Sequence, residues 1–217
     1  MASSLVLHTD PFWVSPYVFS AFVALKEKGV PFEMRVVDLG QGDHRKEPYR
    51  SASLTARIPA LLHDGFWLTE SNAIDEYVED VFPTPQYPRL FPVDPQQRAR
   101  ARQVMAFVRS DLGALREERS SETVMYRRQV EPLSPAGARA AAKLFTLASA
   151  LIGERTDTAF GAWSIADADL AFALQRLVAN GDEVPAPLRA YAQAQWDRPS
   201  IREYVQHPRA PFVPYNY

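Results

Sequence analysis

The sequence predicts a mixed α/β domain followed by an all-helical one, and three observations carry that reading. The first third alternates short apolar runs with one amphipathic helix, and closes on a strand, a tight turn, a second strand and a helix start. A proline-rich stretch with Pro83, Pro85, Pro88 and Pro92 follows. Every periodic segment beyond it repeats at helical spacing. The expected boundaries are 1–82 for the first domain, 83–93 for a linker and 94–217 for the helical domain. The 217 residues suffice for two cores of that size.

Taken in order, Leu5-Val6-Leu7-His8 is a short strand. Asp10 to Val14 is a loop holding Pro11 and two aromatics. Ser15-Pro16 reads as an N-cap and a first helical residue, because a serine oxygen accepts an orphan N–H and proline tolerates the first turn. Val18, Ala21, Phe22 and Leu25 form the core-facing stripe of that helix, and Gly29 ends it. Phe32 to Leu39 is expected as a second strand, and 40–56 as polar, irregular chain with one helical turn. Arg57 to Tyr77 (RIPALLHDGFWLTESNAIDEY) is the most informative stretch. Ile58–Leu62 is an apolar run opened by proline, His63-Asp64-Gly65 is a turn, and Phe66–Leu68 is a second run. A helix starts over Thr69–Asn72, with Ala73, Ile74, Tyr77, Val78 and Val81 as its apolar positions.

In the second domain, Gln96 to Glu118 is expected as one long helix. Val104, Phe107, Val108, Leu112 and Leu115 lie on one side, and Arg98, Arg102, Arg109 and Arg116 on the other. Ser134 caps a helix through about Ile152. Ser164-Ile165-Ala166-Asp167 has the form of a capping box. It opens a helix with Leu170, Ala171, Leu174, Leu177 and Val178 inward, apolar around most of its circumference and so expected at the buried centre. Asn180-Gly181 closes it. Pro187–Ala194 and Pro199–His207 read as two short helices. The aromatic, proline-rich tail Pro208–Tyr217 is expected to lie strapped on the surface.

Bulk properties exclude several classes. A net charge of −2 gives no electrostatic pull toward nucleic acid or anionic membrane. The absence of cysteine rules out disulfides, thiolate metal sites and a protein thiol nucleophile. The four histidines, His8, His44, His63 and His207, have no metal-ligand spacing, so no metal is expected. Met1-Ala2-Ser3-Ser4 shows no leader pattern and no apolar run reaches the ~18 residues of a membrane span, so a cytoplasmic protein is the expectation.

The chemistry gathers in the Arg57–Tyr77 stretch. A helix start presents free N–H groups and the positive end of the dipole, which suits a carboxylate. Glu70, just before it, suits an ammonium. Ile58 precedes a proline and is biased to an extended shape, so its backbone can pair with an extended peptide. A carboxylate, an ammonium and a peptide backbone together describe a small zwitterionic peptide.

This arrangement resembles the glutathione-binding half of the glutathione S-transferase superfamily, whose thioredoxin-like domain carries a cis-proline strand and a Glu-Ser or Gln-Ser pair at its third helix. Pro59 and Glu70-Ser71 stand at those places. The resemblance runs along nearly the full length. It implies the glutathione transferase fold: an α/β thioredoxin-like N-terminal domain followed by an all-α C-terminal domain. The chain is most similar to the bacterial YfcF-type glutathione transferases in Val14-Ser15-Pro16-Tyr17, in the run Arg98–Arg119, and in Asn180–Pro185. The Ser-x-x-Asp box is a further mark of the family.

The resemblance implies glutathione as co-substrate. Ile58 and Pro59 would hold its cysteinyl part, and Glu70 and Ser71 its γ-glutamyl end. Ser15, at the position of the family's catalytic serine, would donate to its sulfur. By residue type alone Ser15 is an N-cap, and Tyr17, His8 and Thr9 are the rival groups. For the glycine end the 40–57 segment offers His44, Arg45, Lys46 and Arg57, with His44 chosen. The arginine row is in the main a solvated face, part of it expected toward a cleft between the halves. Asp111 would reach a partner subunit's glutathione in a homodimer. Asp167 is assigned to folding, and Trp13, Trp163 and Trp196 to packing before an electrophile pocket. The implied activity is conjugation of glutathione to an apolar or peroxide electrophile held against the helical domain, with glutathione peroxidase or disulfide reductase activity alongside. No serine-cysteine isomerase motif stands near Ser15. The alternative is a non-catalytic protein-interaction module of the same fold.

Overall fold

The computed structural model describes residues 4–126, 130–153 and 157–215. The opening Met1-Ala2-Ser3, read above for a leader, and the last two residues of the tail lie outside them. The chain divides into two compact units, Met1–Leu90 with Gln206–Tyr217, and Phe91–Val205.

The first unit is built on a four-stranded sheet in the order β2-β1-β3-β4. Strand β1 (Leu5–Thr9) leads through a loop to α1 (Pro16–Lys28), then β2 (Glu33–Val36), a 3₁₀ turn at Asp43–Arg45 and the single-turn α2 (Tyr49–Ala52). Strands β3 (Ala60–His63) and β4 (Phe66–Thr69) and helix α3 (Ser71–Val81) complete it. β2 runs parallel to β1, while β3 pairs antiparallel with both β1 and β4. The β3–β4 turn is Asp64-Gly65, both residues at positive φ (48° and 92°), as a two-residue hairpin turn requires. Helices α1 and α3 pack together. Ser15 caps α1 by accepting from Val18 N–H at 3.2 Å, and Gly29 ends it in the left-handed region.

Three details differ from the sequence reading. β2 stops at Val36, although Val37 N–H still donates to Thr9 O at 2.8 Å; beyond it Asp38 turns the chain by accepting from Gln41 N–H. On α3, Ala73 and Val81 are exposed, while Asp75 is buried and accepts from Ser20 Oγ on α1 at 2.9 Å. The segment after residue 205, grouped above with the helical domain, belongs to the first unit.

The second unit comprises α4 (Pro95–Ser110), α5 (Gly113–Glu118), α6 (Ser121–Tyr126), α7 (Pro135–Ile152), α8 (Ile165–Val178), α9 (Ala186–Trp196) and α10 (Pro199–Val205). The expected single helix Gln96–Glu118 is two. Asp111 ends the first, Leu112 leaves helical geometry at φ −88°, ψ 37°, and Gly113, a poor interior residue, opens the next helix. The break lets Leu112 and Leu115 both reach full burial.

Helix α8 packs against α4, α6, α7 and α9 and is buried from Ile165 to Leu177, as its apolar circumference predicts. Its polar residues are all partnered: Asp169 with Arg109 at 2.6 Å, Gln175 with Ala192 O, Arg176 with Arg119 O. Arg119 also grips Asp182 through two hydrogen bonds of 2.6 and 2.8 Å, tying the Arg98–Arg119 run to the Asn180–Pro185 segment. Among the described residues no helix is long and apolar enough to cross a membrane.

The capping box closes both ways. Asp167 accepts from Ser164 N–H and Oγ, Ala159 N–H and Tyr191 Oη, at 2.8, 3.0, 2.6 and 2.8 Å, with no exposure. Replacing Asp167 by alanine orphans these buried donors. The expected cost is about 3 kcal/mol or more, read by urea unfolding, since each unmet buried group costs about 1–3 kcal/mol. A loss under about 1 kcal/mol, ordinary for a surface change, would contradict the role.

Candidate active site

Sheet register assembles the site. His8 faces Ala60 across β1 and β3, and Ala60 faces Thr69 across β3 and β4. The end of β1, the start of β3 and the end of β4 therefore stand in one row. At about 4.8 Å between strands the row spans roughly 10 Å. Ile58-Pro59 enters it, Glu70-Ser71 leaves it, and Ser15 follows β1 by one short loop. Val36 lies beside Thr9 on the other flank and leads into the segment with His44 and Arg57. The first-unit candidates thus sit on segments that meet one edge of the sheet. Asp111 belongs to the second unit, where it ends α4 and pairs with Lys143 at 3.2 Å.

The Ile58–Pro59 peptide is cis. Ile58 packs on the cluster of Val37, Tyr49 and Ala60, and Tyr49 Oη donates to Arg57 O at 2.8 Å, fixing the approach. Glu70 is exposed at φ 69°, ψ 113°, and its side chain makes no capping bond. The plain capping role is therefore absent, and a left-handed glutamate costs on the order of 1–3 kcal/mol that its surroundings must sustain. Ser71 is buried beside it in the first turn of α3. Among the described residues, the first unit's buried polar atoms without a hydrogen-bond partner include His44 Nδ1, Ser53 Oγ and Asn72 Oδ1. All three lie on the segments that flank this edge, which fits a polar ligand rather than an apolar one.

Ser15 is half-buried at the N-terminus of α1, with φ −64° and ψ 120°. Its cap bond to Val18 N–H takes a lone pair of Oγ and not the hydroxyl proton. Capping and donation to a sulfur are therefore compatible. The loop before it is ordered by Asp10, a residue the sequence reading passed over. This carboxylate is 1% exposed and accepts from Phe12 N–H (3.0 Å) and Val14 N–H (3.2 Å) on Oδ1 and from Ser15 N–H (3.3 Å) on Oδ2. The signal for it was the Asp-Pro pair at a loop start, where aspartate folds its side chain onto following amides.

The rival groups separate by environment. His8 is buried, stacks on Trp67 with centroids 4.9 Å apart, and donates from Nδ1 to Ala60 O at 3.0 Å. Burial, with a contribution from Arg35, holds its pKa below the usual histidine value. Its ring is thus engaged within the sheet, on Ala60 O and the Trp67 face. Thr9 is buried, with its hydroxyl donating to Asp10 O at 3.3 Å. Tyr17 is half-buried, one turn into α1.

Several arginines of the row have partners within the second unit. Arg98 donates to Pro92 O and Val93 O, Arg109 pairs with Asp169, and Arg102 lies over the Phe91 ring at 5.7 Å. Trp163 donates to Gln195 and carries Arg198 on its ring face at 4.2 Å, and Trp196 meets Phe172 edge-on. Trp13 stacks on His207. All three tryptophans have packing partners. A groove of about 870 Å³ lies between α4 and α7, with Phe107, Leu147 and Leu151 among basic Arg100, Arg139 and Lys143.

Comparison with known proteins bears on this geometry. Residues 14–81 match the family model for the glutathione S-transferase N-terminal domain, and 94–208 that for the C-terminal domain. A solved glutathione transferase homologue from Burkholderia gl BGR1, with bound glutathione, is 40% identical with a TM-score of 0.76, over 94% of this chain and 96% of that one. Maleylpyruvate isomerase of Ralstonia sp is 34% identical over 111 residues, 51% of each chain. Human glutathione S-transferase theta-1 is 33% identical over 93 residues, 43% of this chain and 38% of that protein. The match thus spans about half or less of these curated relatives. A holo maleyl pyruvate isomerase structure of the zeta class has TM-score 0.71 at 25% identity, covering 92% of this chain and 95% of that one.

The buried His8 makes stability depend on pH. Its folded pKa lies below the ordinary 6.5, so on acidification the unfolded chain takes the proton first. Stability is full above pH 6.5 and falls as pH drops from there through the folded pKa, by up to about 1.36 kcal/mol per unit of depression. His44 and His207, also lowered chiefly by burial, add slope of the same sign. His8→Gln, which keeps a donor for Ala60 O, should flatten this limb in unfolding titrations from about pH 7 to 5. An unchanged limb would show that His8 is not held neutral.

Proposed function

Because the chain belongs to the glutathione S-transferase family, we propose that it binds glutathione at the edge where β1 and β4 end and β3 begins, and conjugates it to an electrophile. The observation that carries this reading is the register row placing Ser15, Ile58-Pro59 and Glu70-Ser71 on adjacent strand ends. Glutathione supplies the nucleophilic sulfur. The chain's part is to orient the peptide and hold the thiolate. Ile58 pairs with the cysteinyl backbone. Glu70 takes the ammonium of the γ-glutamyl group, and Ser71 with the first turn of α3 its carboxylate. At the glycine end His44, its pKa lowered by burial and by Arg45, offers a neutral hydrogen bond, and exposed Arg57 the positive charge.

Ser15 Oγ–H donates to the sulfur. A hydrogen bond to a charged group contributes about 1.5–3 kcal/mol. At 1.36 kcal/mol per unit this lowers a thiol pKa of about 8.5 by roughly one to two units, enough for thiolate at neutral pH without a general base. The start of α1 adds a favourable dipole.

Peroxide or disulfide reduction at the same site would consume two glutathione molecules per turnover, since the chain has no cysteine to form a protein disulfide. We place the chain with the YfcF type on the Arg98–Arg119 run and the Asn180–Pro185 segment, which the Arg119–Asp182 pair joins. The homodimer of the family is part of this reading. Asp111, held by Lys143 beside the α4–α7 groove, is its candidate contributor to a partner's site.

The similarity to maleylpyruvate isomerases favours a second reading, glutathione-dependent isomerisation of an unsaturated diacid, at the same thiolate. Parallel assays with a halonitrobenzene and with maleylpyruvate separate the two.

Ser15→Ala is expected to keep glutathione binding, raise the bound thiol pKa by about one to two units and lower conjugation at pH 6.5 about 10–100-fold. Glu70→Gln should weaken binding itself, by about tenfold for a lost charge-assisted bond. A wild-type chain that passes through glutathione resin unretained would leave only the interaction module.

A further inference from the structure

The polypeptide beyond α10 returns to the first unit, and its contacts converge on one loop. His207 stacks on Trp13 with centroids 3.6 Å apart and planes 13° from parallel. Arg209 donates from Nε and Nη2 to Trp13 O at 3.4 and 3.3 Å, and from Nη1 to His207 O at 2.9 Å. Phe212 and Tyr215 pack against the Phe12 ring, and Tyr215 Oη donates to Asp10 Oδ1 at 3.4 Å. The loop so gripped is 10–15, and it ends at Ser15.

Trp13 stands at φ 51°, a region where a bulky side chain is crowded by its own backbone. Such a conformation persists only where the surroundings over-determine it. Here Asp10 draws the Phe12, Val14 and Ser15 N–H groups inward. The strap holds the Trp13 ring and carbonyl. A turn of the backbone at residue 13 would swing Ser15, two residues on.

We propose that the strap 206–215 and Asp10 form a positioning device for the Ser15 hydroxyl, with Asp10 and Arg209 as its positioning residues. The inference rests on the reading of Ser15 as thiolate donor. A hydrogen bond weakens steeply away from linearity, and misplacement by about 1 Å can cost on the order of 100-fold in rate. The loop conformation therefore sets how much of the donor's effect reaches the sulfur, while the peptide's charged ends are held elsewhere, at α3 and the 40–57 segment.

The test compares Arg209→Met, Arg209→Lys and a chain lacking 206–217 with the full chain. Three readouts are used: amide hydrogen exchange over 10–18, glutathione affinity by calorimetry, and the bound thiol pKa by thiolate absorbance. Arg209→Met and the deletion should speed exchange of the Phe12, Val14 and Ser15 amides about tenfold. They should raise the thiol pKa by about one unit and change affinity less than about threefold. Arg209→Lys should recover part of both effects. Adding Ser15→Ala to Arg209→Met should raise the pKa no further than Ser15→Ala alone, the mark of coupled residues. Faster exchange confined to the tail, or additive effects, would overturn the proposal. If the deletion does not fold, Arg209→Met and Tyr215→Phe decide, each removing one contact. If Ser15→Ala leaves the thiol pKa unchanged, the thiolate-donor reading fails and this inference with it. If Ser15→Ala raises it and Arg209→Met does not, only the strap is refuted.

Discussion

The antiparallel register that sets Ala60 between His8 and Thr69 governs where every candidate group of the first unit stands. A slip of one residue would turn the side chains of β3 to the opposite face and carry Pro59 away from Ser15 and Glu70. Several groups hold the register in place. His8 Nδ1–H reaches the Ala60 carbonyl, and its ring packs between Trp67 of β4 and Tyr49 of α2. Tyr49 in turn holds the Arg57 carbonyl. One imidazole kept neutral by burial thus links the middle of the sheet to the proline that enters it.

Buried polar groups play a comparable part in both units. Asp75 joins α3 to α1 through Ser20, and fully buried Lys28 meets Glu79 at 2.6 Å and the Phe82 carbonyl. In the second unit Asp167, Asp169 and Asp182 each receive donors from another segment. Such groups add little net stability against apolar substitutes of the same shape. Their effect is to make alternative packings costly, because each misplacement strands a donor or an acceptor out of water. Asp10 differs in what it organises. Its donors come from a loop rather than a helix or strand, and that loop ends in the serine on which the proposed chemistry turns.

The parts of this architecture legible in the sequence are those written by short-range chemistry. Ser15-Pro16, Ser134-Pro135 and Ser164-x-x-Asp167 each stand at the helix start that their capping chemistry predicts, and Asp64-Gly65 is the hairpin turn. The all-round apolar pattern of α8 led to its buried place. Less legible were features that depend on a distant partner. Periodicity continued smoothly through Asp111 and Leu112, yet the helix breaks there so that two leucines reach the core. Ala73 and Val81 looked inward by type, and Asp75 did not; α1 supplied the hydroxyl that reverses the assignment. The arginine row read in the main as a solvated face because its acceptors, among them Asp169 and the Pro92 and Val93 carbonyls, cannot be matched to it by spacing.

The sequence by itself determined the two-part α/β and helical plan, the capped helix starts and the residue types of a peptide-binding edge, because each depends on neighbours a few positions away. Only the tertiary structure decided that Asp10 orders the serine loop, that the tail comes back more than 190 positions later to clasp Trp13, and that Asp111 is held by Lys143 of α7. Those outcomes depend on which surfaces meet once the sheet closes and the chain returns, and contacts at that separation leave no periodic trace along the chain.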